Sequence, residues 1–303
     1  MDIKEIGAQF SLVVKKAERV SHAILSEVYI INGTHVLRSR VLESGVIDRF
    51  KNECVLIDHI RSRVPIQFPS LISTKDGTNH LIIDKFLWTA YPLIQGDILC
   101  SWWELEKLSP EQEKNTFVTL KKLHTDTAGI LSDVSDITQY HFLNDVRQRF
   151  SDPDPLLSEK EKKRIQQSID YVVAREERFA ESEKCFVHGD YHPGNTIFKG
   201  SKVVGLLDLD WSRKGYGIED LAYTVMMFLR DYRLPKFLFK KEKLANYIKW
   251  YDLAREQVRD LHEYLILYTF YDVHLFDRLS SIPDPKKFRA FQRAFLNEIC
   301  EQF

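Results

Sequence analysis

Cysteine is sparse in this 303-residue chain, and its four copies, Cys54, Cys100, Cys185 and Cys300, lie far apart. No two form a paired motif, which argues against zinc ligation and for a reduced, cytoplasmic setting. Long apolar runs are missing as well: stretches such as "EYLILYTFY" are far too short to cross a bilayer. In the N-terminal "MDIKEIGAQFSLVVKKAERV", charged residues interrupt every apolar run, unlike a secretory leader. Neither sign of charge dominates, since 43 Lys and Arg stand against 44 Asp and Glu. A broad nucleic-acid footprint is therefore not expected, and only a local basic groove is left open. Internal repeats and low-complexity segments are absent too. A globular chain with neither nucleic acid nor membrane as partner is the expectation.

What the chain does contain is divided. The first hundred residues read as β-rich. In "EVYIINGTHVLRSRV" two β-branched runs flank Asn32-Gly33, a strong hairpin signal. Strand-like runs recur at 70–74, 80–86 and 89–94. Between them, 46–62 has helical periodicity, with Val46, Phe50, Cys54, Ile57 and Ile60 on one face. Glu53 falls on that same face. A carboxylate in an apolar stripe is costly to bury unless a cation or donor meets it. Either Arg38, at the end of the hairpin strand, is its partner, or Glu53 reaches past the stripe edge to solvent. From about residue 100 the pattern is mostly helical. Capping boxes begin helices at Ser109 with Gln112 and at Ser158 with Glu161, and amphipathic segments follow at 217–232, 240–254, 256–280 and 285–302. These features give an α+β chain of two parts, 1–95 and 96–303, with the boundary near Gly96.

One stretch breaks the helical half. "CFVHGDYHPGNTIF" (185–198) is followed by "VVGLLDLDW" (203–211), which places His188, Asp190, His192, Asn195, Asp208 and Asp210 between short apolar runs. A polar turn between buried strands is one reading, and a metal-holding active site is the other. Gly189 and Pro193-Gly194 force a tight backbone path around Asp190, as a positioned carboxylate requires. Asn195 adds a neutral oxygen, and a short hairpin delivers Asp208. Carboxylate and amide oxygens are the ligands hard Mg²⁺ prefers, with phosphate and water completing its shell.

"HGDYHPGN" with "LLDLD" resembles the signature of the aminoglycoside phosphotransferase and choline kinase family, small-molecule kinases with a protein-kinase-like two-lobed fold. The resemblance implies a small β-rich N-lobe with one helix and a larger, mostly helical C-lobe. It implies Asp190 as catalytic base, with Asn195 and Asp208 holding Mg²⁺ on the phosphates of ATP or GTP. "HVLRSR" resembles the strand bearing the phosphate cation, here Arg38, and Glu53 resembles the helix glutamate that steadies it. "AYPLIQGDIL" resembles the nucleotide hinge, with Tyr91, Leu93 and Ile94 as contacts, and "LKKLHT" the helix ending in Leu-His. The acceptor implied is a hydroxyl on an amino sugar, aminocyclitol or amino alcohol. A cationic one would suit the Tyr, Trp, Asp and Glu residues of 240–302.

The sequence departs from the family at two points. The turn over the phosphates, "RVSHAILSEVY" (19–29), has no glycine, leaving Ser21 and Ser26 as donors, and arginine replaces the usual lysine. A sensor that binds nucleotide without transfer is the alternative function. His188 reads as a residue that braces the loop backbone, and Asp220 as a carboxylate that braces a loop or starts a helix. Asp210 is open between a second metal and loop bracing. The Trp102-Trp103 pair reads as helix packing.

Overall fold

The Asn32-Gly33 turn joins two strands of a five-stranded antiparallel sheet. In this computed structural model, residues 2–20, 26–99, 107–131, 134, 142–152, 157–180, 183–231, 238–275 and 285–303 are described. Ser21, Cys100, Trp102-Trp103, most of the Pro-rich break after Ser151, and Asp277 fall outside them.

A short helix, α1 (Ile3–Gln9), precedes strands β1 (Ala17–Arg19), β2 (Val28–Ile31) and β3 (His35–Val41). Helix α2 (Val46–Ile60) and strands β4 (Leu81–Ile83) and β5 (Phe86–Pro92) complete this part, with sheet order β1-β2-β3-β5-β4. Alternation along β3 sorts its side chains. Leu37 joins Ile6, Phe10, Ile31, Trp88 and Ala90 in a small core on one side. Arg38 and Arg40 share the opposite face, in register with Thr89 and Leu87 of β5.

Local chemistry explains where the sheet departs from the sequence reading. The run 80–86 is split by a turn at Asp84, whose φ is 52°, so β4 and β5 form a hairpin. Residues 70–74 form no strand, although the Ile72 N–H bonds to the Ala90 carbonyl at 2.8 Å. Strand β5 ends at Pro92, and the next amide, Leu93 N–H, is taken by the Thr34 carbonyl at 2.8 Å.

The remainder packs around a large core. Helix α3 (Pro110–Thr127) carries the expected Ser109–Gln112 capping box. Helix α4 (Phe142–Ser151) precedes α5 (Glu159–Glu176), which begins at the Ser158–Glu161 box. Strands β6 (Lys184–Val187), β7 (Thr196–Lys199), β8 (Lys202–Leu206) and β9 (Arg213–Tyr216) form two ribbons, β6 with β9 and β7 with β8. Helices α6 (Gly217–Leu229), α7 (Leu244–Tyr251), α8 (Val258–Leu275) and α9 (Pro285–Gln302) follow. Helix α8 buries Leu261, Tyr264, Leu265, Ile266, Leu267, Tyr268 and Phe270. It is therefore a central helix, not a one-sided amphipathic one. Among the described residues no helix is long and apolar enough to cross a membrane.

Candidate active site

Strand β6 delivers His188, Gly189 and Asp190 into a loop that is fastened from below. Asp220, in the first turn of α6 and fully buried, accepts the amide hydrogens of His188 at 2.6 Å and Gly189 at 2.8 Å. Its third partner is His124 Nε2 at 3.2 Å, at the end of α3, and His124 Nδ1 meets the Tyr251 hydroxyl at 2.7 Å. Burial works to raise the Asp220 pKa, but His124 and these loop donors outweigh it and hold the carboxyl below its ordinary range. Gly189 is required here: its φ is +79°, and a Cβ would run into the Trp211 carbonyl oxygen.

His188 fixes the loop from within. Its Nδ1 accepts the Asp190 amide hydrogen at 3.2 Å, and its Nε2 meets the Leu207 carbonyl at 3.0 Å. Burial lowers the His188 pKa, in keeping with a neutral ring that accepts at one nitrogen and donates at the other. His188 and Asp220 thus have the bracing roles expected from their sequence context.

Asp190 stands at the centre. Asn195 Nδ2 donates to Asp190 Oδ2 at 2.9 Å and to the Asp190 carbonyl at 3.0 Å. The Tyr223 hydroxyl, one turn along α6 from Asp220, donates to Asp190 Oδ1. His192 Nε2 lies 3.5 Å from the same oxygen, while its Nδ1 accepts the Gly194 amide hydrogen at 3.1 Å. Burial acts to raise the Asp190 pKa, but His192 and Tyr223 outweigh it, so the group sits below the ordinary carboxylate range. An ionised, oriented carboxylate is the result. Asn195 thus spends its amide nitrogen on Asp190.

Asp208 follows β8 in a left-handed backbone conformation, φ 56°, which few residues besides glycine, Asn and Asp adopt readily. The Leu207 amide bonds to the Asn195 carbonyl at 2.8 Å, tying this end of β8 to the 188–195 loop. Arg38 Nη2 reaches Asp208 Oδ1 at 2.6 Å and Asp210 Oδ2 at 3.0 Å. Arg40 donates through Nε to Asp210 Oδ1 at 2.7 Å and through Nη2 to Glu53 Oε2 at 2.7 Å.

This corrects the sequence reading in one respect. Glu53 is indeed buried and met by a cation, but that cation is Arg40, and Arg38 is directed across to Asp208. Alternation puts both arginines on one face of β3, and position along the strand separates them: Arg40 reaches Glu53 on α2, and Arg38 reaches Asp208.

The donor set suits a hard divalent cation. Three carboxylates, Glu53, Asp208 and Asp210, face Arg38 and Arg40, and Arg49 also acts on Asp210. Burial pushes Glu53 up despite Arg40, and burial together with Asp210 and Asp190 pushes Asp208 up despite Arg38. Asp210 is held low: burial opposes this, but Arg38 and Arg40 prevail. The Asp208 side chain, 39 % exposed, is the most accessible carboxylate of the cluster. Among the described residues no group of three or more His, Cys, Asp or Glu side chains is placed to hold a metal ion. Two protein oxygens plus phosphate and water are what Mg²⁺ commonly takes.

The expected hinge residues are placed less uniformly. Tyr91 is buried and within electrostatic range of Arg38 and Arg40. Leu93 and Ile94 line a cavity of about 440 Å³ with Val64, Ile66 and Phe68. Besides Arg40, two participants escaped sequence reasoning. Tyr223 is one, although its spacing of three from Asp220 put both on one helix face. Arg213 is the other, held by Glu219 Oε2 at 2.7 Å and the Tyr268 hydroxyl at 2.9 Å beneath the Asp208 loop.

Comparison with known proteins agrees with this architecture. A family model described as "Phosphotransferase enzyme family" matches residues 16–261. The chain belongs to that family. No curated protein matches it. Solved structures share the fold at low identity. The GDP and kanamycin complex of APH(2")-IIia superposes with a TM-score of 0.69 at 14 % identity, covering 98 % of this chain and 97 % of that one. Amicoumacin kinase hAmiN, in complex with AMP-PNP and Ca²⁺, gives 0.70 at 14 % identity, covering 100 % and 94 %. Spectinomycin phosphotransferase APH(9)-Ia, in complex with ADP, gives 0.61 at 13 % identity, covering 99 % and 98 %. The fold is thus that of small-molecule kinases.

Proposed function

We propose that this phosphotransferase moves the γ-phosphoryl group of ATP or GTP to a hydroxyl of a small molecule. Residues 1–95 would hold the nucleotide, and residues 96–303 would carry the base, the metal ligands and the acceptor pocket. The observation carrying this reading is the Asp190 carboxylate, ionised and fixed by Asn195 and Tyr223, on a loop tied to the Asp208 strand.

In this reading Asp190 accepts the hydrogen of the acceptor hydroxyl and orients its oxygen. Asn195 and Asp208 would hold Mg²⁺, which would neutralise charge on the donor phosphates. Arg40, steadied by Glu53, adds fixed positive charge on the nucleotide side. Tyr91, Leu93 and Ile94 form the hinge against the base. Positioning and charge neutralisation are what phosphoryl transfer needs most, and these residues supply both.

For the acceptor, the charge pattern of α8 matters. Asp260 is met by Arg175 at 3.1 Å, Glu263 by Arg164 at 2.7 Å, and Asp272 by Arg230. None of these carboxylates is left over for a polyamine. Within the amino sugar, aminocyclitol and amino alcohol classes, this favours acceptors with few amines.

The test is a coupled ADP-release screen over aminoglycosides, aminocyclitols, hexosamines, choline and ethanolamine, run with Asp190→Asn alongside. Acceptor-stimulated release that falls by about 10²–10⁴-fold in the variant is the expected result. Undiminished turnover in Asp190→Asn would remove the base from this scheme.

A further inference from the structure

The two arginines of β3 are not equivalent. Arg40 is committed to Glu53 and Asp210, so its place is set by α2 and the 208–211 loop together. Arg38 makes a different commitment. Its guanidinium crosses from the sheet to the loop and binds an oxygen of Asp208 and one of Asp210 through a single nitrogen. Of the carboxylates in this cluster, Asp208 is the most exposed, and it is the one assigned above to the metal. In this arrangement the positive charge beside Asp208 is supplied by the chain itself.

We propose that Arg38 is a positioning residue that makes metal binding depend on nucleotide. While Arg38 holds Asp208 and Asp210, a divalent cation approaching alone meets a guanidinium in its place. Polyphosphate entering the cleft offers Arg38 a second set of anionic oxygens, and a guanidinium binds those with favourable geometry. Turning toward them, Arg38 releases the Asp208 oxygen to the cation that arrives with the phosphates. Arg40 need not move, because Glu53 and Asp210 hold it from both sides.

Linkage gives the consequence. A contact that must break before the metal can bind weakens metal alone, and nucleotide and metal then strengthen each other by the same factor. The β3 alternation makes this arrangement possible: one cation serves the helix, and a second on the same face is left to serve the metal loop. The inference rests on the nucleotide-binding reading of the cleft, so the experiment separates the two.

Mn²⁺ alone, titrated into the full chain and followed by the loss of its free-ion EPR signal, reads the metal site without any turnover. Arg38→Met is expected to bind Mn²⁺ about 10–100-fold more tightly than the unaltered chain, the range of ordinary coupling between sites. Arg38→Lys keeps the charge but loses the fork, and should fall between them. Thermal melts of both variants confirm folding, and Arg38→Lys carries the test if Arg38→Met does not fold. Arg40→Met leaves Arg38 on Asp208 and should not produce the gain. Equal Mn²⁺ affinity in the unaltered chain and the folded Arg38 variant would overturn the proposal. So would a gain in Arg40→Met as large as in the Arg38 variant. Fluorescent ADP binding, measured on the same samples, tests the nucleotide reading separately. If ADP fails to bind while Arg38→Met still gains Mn²⁺, the cleft assignment falls and the competition at Asp208 stands.

Discussion

The hydroxyl of Tyr223 donates to the carboxylate of Asp190 from one turn beyond Asp220 on α6. The same helix therefore anchors the 188–195 loop through one side chain and orients its carboxylate through another. A single hydrogen bond to an ionised group contributes about 1.5–3 kcal/mol. Tyr223→Phe is expected to keep the fold and lower acceptor-stimulated turnover by roughly tenfold or more, since 1.4 kcal/mol is a factor of ten. Steady-state kinetics beside a melting curve checks it, and unchanged turnover would reduce the contact to packing.

Glu53 and Arg40 form a pair in which both side chains are less than a tenth exposed. Removing Glu53 leaves the buried Arg40 guanidinium with Asp210 as its remaining partner. Glu53→Ala should lose about 1–3 kcal/mol of stability, read from a urea unfolding midpoint. Arg38→Met should lose less, because its partners Asp208 and Asp210 are partly exposed. The opposite ranking would restore Arg38 as the partner that matters to Glu53.

Asp220 is the anchor of the loop. Asp220→Ala strands two buried backbone donors and the His124 ring, and stranded donors cost about 1–3 kcal/mol each. We expect a loss of several kcal/mol and, in hydrogen exchange, deprotection of the His188 and Gly189 amides. Asp220→Asn, keeping one acceptor oxygen, should fall between this variant and the unaltered chain.

Glu176, at the end of α5, makes stability depend on pH. Burial, with Glu219 nearby, raises its pKa from 4.5 to about 7. The Tyr264 hydroxyl, 2.5 Å away, opposes the shift. A folded state that binds the proton more tightly than the unfolded chain gains stability fully present below pH 4.5. That contribution is lost as pH rises through about 7. Glu176→Gln should remove this slope. Discounted for partial exposure, the variant should be about 1–2 kcal/mol more stable than the unaltered chain at pH 8. Parallel stability curves across that window would show that Glu176 does not titrate as described.

Much of this site could be read along the chain because its elements are local. The loop from His188 to Asn195 spans one turn of backbone, and Asp208 ends the hairpin that follows it. Spacing and residue type alone define such groups. Capping boxes at Ser109 and Ser158 were legible for the same reason, each being complete within four residues. What could not be read was who meets whom across the cleft. Arg38 and Arg40 are chemically alike and two positions apart, and only the crossing of α2 and the 208–211 loop over β3 gives Glu53 to one and Asp208 to the other. The carboxylates of α8 show the same limit. Their spacing among aromatics suits a cationic acceptor, yet Arg164, Arg175 and Arg230 meet them from distant segments.

The sequence by itself determined the alternation, periodicity and loop chemistry that make the β-rich part, the helices and the Asp190–Asn195–Asp208 set. Those depend on neighbours within a few residues. Tertiary structure alone decided the charge pairing, because an ion pair's partner is set by which elements pack together, and that is fixed only when the whole core closes.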